Sequence, residues 1–227
     1  MFKFLIINPN SSKGVTDNLE TILPKVPGTE LIFYTAPAGA PKEITGVETS
    51  IESEKYVLED IKAKKLADEV DGFLVCCYSD HPLIYSLSKL TPDKPVLGIM
   101  QATLLYSLLN PTFKLFILTS TSEWEPLLDD GIQNFLGTSE FPHTKFFPTL
   151  GLNISVLDLA LLTDTIVPVV KEILSRLDYA GCNCILLGCA GLSGADKVIE
   201  RETGVKCVDS VRIGVEFLNA LARNNTY

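Results

Sequence analysis

Two cysteines in this sequence follow short apolar runs, and they are its strongest candidates for chemistry. Cys77 lies within the segment Asp71–Asp80, and Cys189 lies within the segment Asn183–Gly191. Apolar runs of this length, bounded by turn residues, are typical of strands buried on both faces of a parallel sheet. Because ligands gather beyond the carboxyl ends of such strands, we expect both thiols where binding and chemistry occur.

Two thiols facing each other across a cleft are suited to stereochemical inversion at a carbon atom. One thiolate removes a proton from one face, and the opposite thiol delivers a proton to the other face. The ordinary pKa of a cysteine thiol, about 8.5, lies near working pH and can be lowered by nearby donors. Each cysteine precedes a possible helix start, at residues 79–80 and 191–193. Backbone N–H groups there are expected to stabilise a thiolate and an enolate oxygen.

The segments around the two cysteines are parts of a longer internal duplication. An offset of 112 residues relates Cys77 to Cys189, and an offset of 111 relates Phe2–Ser11 to Phe113–Ser122. Three further apolar pairs match at 112: Val57 with Val169, Leu58 with Val170, and Ile61 with Ile173. This ordered series predicts two similar α/β units that carry one thiol each.

The length of the chain and its alternation of strand and helix patterns predict an α/β protein with two lobes. A chain of 227 residues is long enough for two domains of ordinary size. We place the first lobe, with Cys77, at residues 1–99 plus 207–227, and the second lobe, with Cys189, at residues 100–206. The βα alternation predicts a mainly parallel four-stranded sheet flanked by helices in each lobe.

Five element predictions are specific enough to be compared with a structure. We predict one long helix from Thr49 to Val70 and a helix from Trp124 to Leu136, the latter ended by Gly137. A weak strand is predicted at Lys145–Phe147, and loops are predicted at residues 36–46 and 148–155. The last strand and helix follow the second thiol and are expected to return to the first lobe.

The composition restricts the partners and the compartment of the protein. A net charge of −9 argues against a nucleic-acid surface, which needs clustered lysine and arginine. The amino-terminal strand pattern lacks the h-region and cleavage site of a signal peptide, and no apolar run approaches the roughly 18 residues of a membrane helix. We therefore expect a cytoplasmic protein with reduced thiols and no membrane partner.

The remaining thiols and both histidines have simpler interpretations. Four cysteines are expected to fill the core: Cys76, Cys182, Cys184 and Cys207. His81 and His143 are the only histidines, and no ligand spacing resembles a zinc or iron site, so we predict no metal. A hydrolase with Cys189 as nucleophile and His81 as base is an alternative, although an exposed helix start would also explain Asp80 and His81.

Three motifs follow the first strand and the two cysteine strands: INPNSS at residues 7–12, CYSD at 77–80 and LGCAGL at 187–192. Together they resemble the hydantoin and allantoin racemases of the aspartate/glutamate racemase superfamily. The resemblance covers almost the whole chain, with cysteines, loops and lobes in the family order. It implies an α/β fold of two pseudo-symmetric Rossmann-like lobes, with the active site in the cleft between them.

The resemblance also implies racemisation without a cofactor, with Cys77 and Cys189 as the acid/base pair. The implied reaction inverts C5 of a 5-substituted hydantoin, and allantoin is the leading substrate. The resemblance also implies a homo-oligomer and a role in purine and allantoin catabolism. The implied substrate-binding residues are Asn10, Ser79, Asp80, Ser120, Thr121, Ala190 and Gly191. Relatives that act on hydantoins often have CFGD where this chain has CYSD followed by His81. This difference bears on the ring substituent of the substrate and not on the implied chemistry. Related decarboxylases keep one of the two cysteines, so the presence of both favours a racemase.

Two other functions stay open from the sequence. An amino-acid racemase or a cis–trans isomerase of a small diacid belongs to the same superfamily, but its carboxylate substrate should need an arginine or lysine in the cleft. The predicted strand-end loops contain no arginine, and we identify Lys13 as their nearest lysine. A non-catalytic small-molecule-binding protein with the same two-lobed shape is the alternative from a different class.

Overall fold

The computed structural model describes residues 1–155 and 163–225, and it divides into two compact units. The first unit is Met1–Ala102 with Val211–Tyr227, and the second unit is Thr103–Ser210. Within the described ranges, no helix is both long and apolar enough to span a membrane. The elements in chain order are β1 (Phe2–Asn8), α1 (Lys13–Ile22), β2 (Thr29–Thr35), α2 (Val47–Ala63), α3 (Leu66–Glu69), β3 (Gly72–Val75), α4 (Pro82–Leu90), β4 (Val96–Gly98), α5 (Ile99–Leu108), β5 (Leu115–Thr119), α6 (Trp124–Leu136), β6 (Leu150–Gly151), α7 (Thr163–Ser175), β7 (Cys184–Leu187), α8 (Asp196–Thr203), β8 (Lys206–Val208) and α9 (Ser210–Asn224).

The two sheets share one strand order, and their pairings are parallel. The first sheet has the order β2-β1-β3-β4, and the second has the order β6-β5-β7-β8. The strand registers reproduce the sequence offsets, since Phe4 pairs with Gly72 while Leu115 pairs with Cys184. The predicted fold class, α/β with two parallel four-stranded sheets flanked by helices, is confirmed.

Buried apolar strands hold each unit together. Residues 4–7 of β1 are at most 1% exposed, although alternate side chains point to opposite faces of the sheet. One face packs against α2, with Leu5 and Val57 in a common cluster, and in the second unit Phe116 shares a cluster with Val170 of α7. Burial of apolar surface contributes about 25 cal/mol per Å², so these contacts are the main force that holds the helices on the sheets.

The long helix predicted from Thr49 to Val70 is wrong in its second half. Helix α2 ends at Ala63, and Lys65 adopts a left-handed conformation with φ of 55° before the short helix α3 begins. This turn redirects the chain so that Leu66 and Val70 pack against the core of the first unit. Burial of these apolar side chains overrides the local helical preference of the lysine-rich segment.

The strand predicted at Lys145–Phe147 is displaced in the structure. Phe146 makes only an isolated bridge with Leu115, and the strand of the sheet is β6 at Leu150–Gly151. Pro148 lies between them and has no N–H to donate, so the ladder cannot continue through it. The predicted loop 148–155 therefore contains the edge strand of the second sheet.

The last strand differs from the sequence-based boundaries, which assign Cys207 and Val208 to the first lobe. Strand β8 pairs with β7 in the second sheet, where Ile185 is opposite Cys207 and Leu186 is opposite Val208. Only the following helix, from Val211 onward, belongs to the first unit. The physical reason is that Cys207 is fully buried in the apolar cluster of the second unit.

Candidate active site

The carboxyl ends of three strands meet at one edge of the first sheet. Val75 pairs with Ile7 of β1 on one side and with Gly98 of β4 on the other. The chain leaves these strands through the loop 8–12, the loop 76–81 and the first turn of α5. Four predicted site residues of the first unit therefore lie at this edge: Asn10, Cys77, Ser79 and Asp80.

Cys77 lies two residues beyond β3, and its side chain is half-buried. Its Sγ atom is 3.5 Å from Ser79 Oγ. Burial raises the pKa of the Cys77 thiol to about 11, while the hydrogen bond with Ser79 acts in the opposite direction. The raised pKa favours the protonated thiol, which is the form that can donate a proton.

The loop that contains Asn10 is rigidly held by hydrogen bonds. The Asn10 N–H donates to Asn8 Oδ1 at 3.2 Å, and Asn10 Oδ1 accepts from the Ser12 N–H at 3.0 Å. Ser53 of α2 donates to the carbonyl of Pro9 at 2.5 Å. Within the described residues no acceptor is bonded to Asn10 Nδ2, so this amide can donate to a ligand.

The loop after β2 is attached to the same region. Ser11 donates through Oγ to the carbonyl of Ala40 and through its N–H to the carbonyl of Pro41, both at 2.8 Å. Residues 36–46, predicted as a loop that could cover a site, are thereby fixed to the loop that follows β1. The edge of the first sheet thus has two mutually supported loops beside the thiol loop.

His81 caps helix α4 and is fully buried. Its Nδ1 accepts from the Leu83 N–H at 3.2 Å, so the ring is neutral with its proton on Nε2. Burial lowers the pKa of His81 to about 4. The exposed helix start that we considered for His81 is wrong, and a buried neutral cap is a poor general base for a hydrolase.

Asp80, the next predicted contact, is exposed and accepts two hydrogen bonds. Tyr85 Oη donates to Asp80 Oδ1 at 2.8 Å, and Gln101 Nε2 donates to the same atom at 3.1 Å. Neither Tyr85 nor Gln101 is among the residues predicted from the sequence. Tyr85 lies only five residues from Asp80, whereas Gln101 lies on α5, which only the sheet order brings beside the Asp80 loop.

The second unit repeats the arrangement around Cys189, which is 9% exposed. Gly188 precedes it because a Cβ there would lie 2.3 Å from Ile117 Cγ2. A 3₁₀ turn over Ala190–Leu192 starts directly after the cysteine, and the Leu192 N–H donates to the carbonyl of Cys189 at 3.0 Å. The N–H groups of the first residues of such a turn have no intrahelical acceptor, so those of Ala190 and Gly191 can serve a ligand.

Ser120 and Thr121 follow β5, the neighbour of β7 in the second sheet. Thr119 Oγ1 donates to the carbonyl of Gly188 at 3.0 Å, which ties this loop to the cysteine loop. The backbone of residues 152–154 supports it, since the Ile154 N–H donates to the carbonyl of Ser120 at 2.9 Å. The predicted site residues of the second unit therefore share one edge of one sheet.

The model of the Asp/Glu/hydantoin racemase family matches residues 4–218 of this chain. The chain belongs to this family. An uncharacterized protein of Schizosaccharomyces pombe is 33% identical over 231 residues, covering 100% of this chain and 94% of its own. A hydantoin racemase of Paenarthrobacter aurescens is 25% identical over 96% of this chain and 90% of its own. The structure of allantoin racemase from Klebsiella pneumoniae matches 98% of this chain and 88% of its own, with a TM-score of 0.80 and 21% identity.

Membership of the Asp/Glu/hydantoin racemase family confirms the resemblance found in the three motifs. It also makes the chain a racemase, an enzyme of the isomerase class. The substrate and the roles of individual residues are separate questions, because the family model names three substrate types.

Asp209 is a further residue of this racemase fold that sequence reasoning missed. It follows β8 and is 4% exposed. Its carboxylate accepts from Ser193 Oγ at 2.8 and 2.7 Å and from the Gly194 N–H at 2.7 Å. A carboxylate placed directly after a buried apolar strand was the available signal. Asp209 thus fixes the segment that follows the Cys189 turn.

The charge expectation for the strand-end loops also needs correction. Lys13 is paired with Asp17 on α1, while Lys42 lies in the loop after β2. Arg212 lies in the first turn of α9, directly after the β8 loop. Cations therefore occur near strand ends in this racemase, and their absence is no argument against a carboxylate substrate.

The other thiols lie in apolar surroundings. Cys76, Cys184 and Cys207 are buried, and Cys182 is half-buried. Burial raises the pKa of Cys182 to about 11 and that of Cys184 to about 12, so both are poor nucleophiles. Over the described ranges, no group of three histidine, cysteine, aspartate or glutamate side chains is arranged to hold a metal ion.

Proposed function

We propose that this racemase inverts C5 of a 5-substituted hydantoin, with allantoin as the leading substrate, by a cofactor-independent two-cysteine mechanism. One observation carries the proposal. Cys77 and Cys189 follow β3 and β7, which hold the same place in two sheets of the same strand order. A reaction that removes a proton from one face of a carbon and returns it to the other needs two such groups.

The chemistry follows from the substrate and from the place of one thiol after a central strand of each sheet. The C5–H bond of a hydantoin is flanked by the C4 carbonyl, so loss of the proton gives an enolate. For one enantiomer we assign Cys189 as the thiolate base and Cys77, whose pKa is raised by burial, as the proton donor, and the roles swap for the other enantiomer. The N–H groups of Ala190 and Gly191 are suited to stabilise the enolate oxygen, and Asn10 Nδ2 is suited to donate to a second carbonyl. Ser120 and Thr121 are proposed to contact the ring or its substituent.

The test compares wild type with Cys77→Ser and Cys189→Ser on each enantiomer of allantoin and of 5-benzylhydantoin. Racemisation is followed by polarimetry, and buffer alone gives the uncatalysed rate. Each variant should lose racemisation by at least about a thousandfold, since the general acid or base is removed. Each should still exchange the C5 proton of one enantiomer with deuterated solvent, and the two variants should retain opposite enantiomers.

A matched control removes a thiol outside the proposed site. Cys182→Ser takes away a half-buried thiol of the second unit and should leave the rate within about twofold of wild type. Full racemisation by either serine variant at positions 77 or 189 would refute the role of that cysteine. Saturable binding without turnover on any substrate would favour a non-catalytic binding protein instead.

A second candidate is an amino-acid racemase or a small-diacid isomerase, and Arg212 is the observation that favours it. The guanidinium of an arginine matches the geometry of a carboxylate, and this residue opens the helix after β8. Aspartate, glutamate and maleate should therefore be assayed beside the hydantoins. Turnover of these acids alone, lost in Arg212→Ala, would establish this candidate.

The expected setting of the enzyme is cytoplasmic and homo-oligomeric. Both expectations come from the sequence and are testable independently of the reaction. Light scattering on the purified chain gives the oligomeric state, and fractionation of cells gives the compartment. A monomer at working concentration would refute the first, and recovery with membranes would refute the second.

A further inference from the structure

A hydrogen-bonded cluster next to the Cys77 loop includes two residues that have no role in the function proposed above. It consists of Asp80, Tyr85 and Gln101, hereafter the Asp80 cluster. Building on the proposed function, we propose that Tyr85 and Gln101 are positioning residues that hold Asp80 as the acceptor for a ring N–H of the substrate. The enzyme would then select hydantoin-type rings by their N1–H group, which adjoins the inverted carbon.

The two donors of the cluster engage the same oxygen of the carboxylate. Tyr85 of α4 donates to Asp80 Oδ1 at 2.8 Å, and Gln101 of α5 donates to it at 3.1 Å. Among the described residues, Oδ2 has no hydrogen-bond donor. An exposed carboxylate usually rotates freely, but this one is held from two helices and keeps one oxygen available. The hydrogen bond to Asp80 also raises the pKa of Tyr85, as expected for a donor to a carboxylate.

Gly98 makes the reach of Gln101 possible. A Cβ at Gly98 would lie 2.2 Å from Gln101 Oε1 and 2.5 Å from Ile84 Cδ1. The carboxamide therefore packs over bare backbone at the carboxyl end of β4, with Oε1 buried. Its orientation is fixed by charge, because only the NH₂ end can face the Asp80 carboxylate. The absence of a side chain at Gly98 therefore allows Gln101 to reach Asp80 and hold its carboxylate.

The chemistry of the free oxygen determines what it recognises. An ionised carboxylate is an acceptor only, so its ligand must be a donor. Asp80 is three residues from the proposed acid/base Cys77, and the groups next to C5 of a hydantoin are the C4 carbonyl and N1–H. Of these two, only N1–H is a donor. The same negative charge repels a substrate carboxylate, which would favour neutral rings over amino acids and diacids.

The experiment measures binding rather than turnover. The probes are 5,5-dimethylhydantoin, which has no C5–H and cannot be racemised, and its N1-methyl and N3-methyl derivatives. Calorimetry gives their affinities for wild type, Asp80→Ala, Tyr85→Phe, Gln101→Ala and Gly98→Ala. Gln133→Ala is the matched control, since it breaks a similar glutamine–aspartate contact, with Asp130 on α6. Thermal unfolding of every variant establishes that it is folded.

Wild type should bind the N1-methyl probe about ten- to a hundredfold more weakly than the parent ring, the range expected for a hydrogen bond to a charged group. Asp80→Ala should bind both rings equally. Tyr85→Phe, Gln101→Ala and Gly98→Ala should each reduce the N1-methyl penalty at least threefold, while Gln133→Ala should leave it unchanged. A purely structural role for the cluster would lower all affinities together and would not alter this ratio.

Two results would overturn the inference: no N1-methyl penalty in wild type, or the same penalty in Asp80→Ala, which would indicate a steric effect. Parallel racemisation assays separate this inference from the proposed function. An Asp80-dependent penalty without racemisation of any hydantoin would leave the inference standing and refute the proposed reaction. Racemisation without the penalty would do the reverse.

Discussion

The two units connect the loops after their third and fourth strands in opposite ways. In the first unit the carboxylate is Asp80 in the β3 loop, exposed and bonded to Gln101 at the start of α5. In the second unit the carboxylate is Asp209 after β8, buried and bonded to Ser193 beyond the β7 turn. Equivalent places in the two duplicated sheets therefore link their strand-end loops through different carboxylates.

This difference shows which features of a duplicated fold are held constant and which diverge. The strand order and the places of both thiols are the same, whereas the groups around them differ in exposure and partners. Enantiomers have equal free energy in water, so a racemase must have equal kcat/KM in both directions. Unequal surroundings of the two proposed acid/base thiols are compatible with that equality, and burial raises the pKa of Cys77.

The largest expected difference between the units is in the cost of removing each carboxylate. Asp209→Ala leaves the buried Ser193 Oγ without its acceptor and also removes the acceptor of the Gly194 N–H, which should cost about 4 kcal/mol of unfolding free energy. Asp80→Ala removes an exposed group and should cost less than about 0.5 kcal/mol. Urea unfolding of both variants measures this. Equal losses would show that the two carboxylates are structurally equivalent after all.

Acid should destabilise the first unit more than the second. His81 occupies the place that Ser193 holds at the 112-residue offset, and only the histidine titrates. Its folded pKa is about 4 against an ordinary value of 6.5, so the unfolded chain takes up the proton first as the pH falls. The contribution of neutral His81 to the free energy of unfolding is fully present above pH 6.5. It decreases by about 3 kcal/mol as the pH falls to 4.

The check on acid sensitivity uses His81→Asn, whose side-chain oxygen can still accept from the Leu83 N–H. Urea unfolding at pH 7 and at pH 4 should show a smaller loss in the variant than in wild type, by about the 3 kcal/mol assigned to His81. An unchanged acid loss in His81→Asn would place the titrating group elsewhere.

The difference between local signals and long-range contacts explains how much of the fold and of the candidate site the sequence could predict. The helix Trp124–Leu136 matches its prediction at both ends, because Gly137 with φ of 66° is a local stop signal. The break at Lys65 was missed, because it depends on which apolar side chains reach the core. Gln101 and Asp209 were missed for a related reason: their partners lie 21 and 16 residues away and meet them only through the sheet order.

Two glycines offer a smaller test of how rigidly each edge is built. A Cβ at Gly151 would lie 2.5 Å from backbone atoms of Thr121 and Ser122, whereas a Cβ at Gly98 would meet only the ends of flexible side chains. Gly151→Ala should therefore cost about 2 kcal/mol, and Gly98→Ala should cost less than about 1 kcal/mol. Thermal unfolding of the two variants measures both costs. A larger loss in Gly98→Ala would mean that the edge of the second sheet accommodates a Cβ more easily than the edge of the first.

The smallest expected effect concerns the hydrogen bond between Ser79 and Cys77. This bond lowers the pKa of the thiol against the larger effect of burial, so Ser79→Ala should raise that pKa further and reduce the thiolate fraction. The loss of about 1 kcal/mol predicts alkylation of Cys77 by iodoacetamide about fivefold slower at fixed pH. Cys182, followed by mass spectrometry in the same digest, is the internal reference. The position equivalent to Ser79 in the second unit is Gly191, which has no hydroxyl. An unchanged alkylation rate of Cys77 would mean that neither thiol depends on such a hydrogen bond.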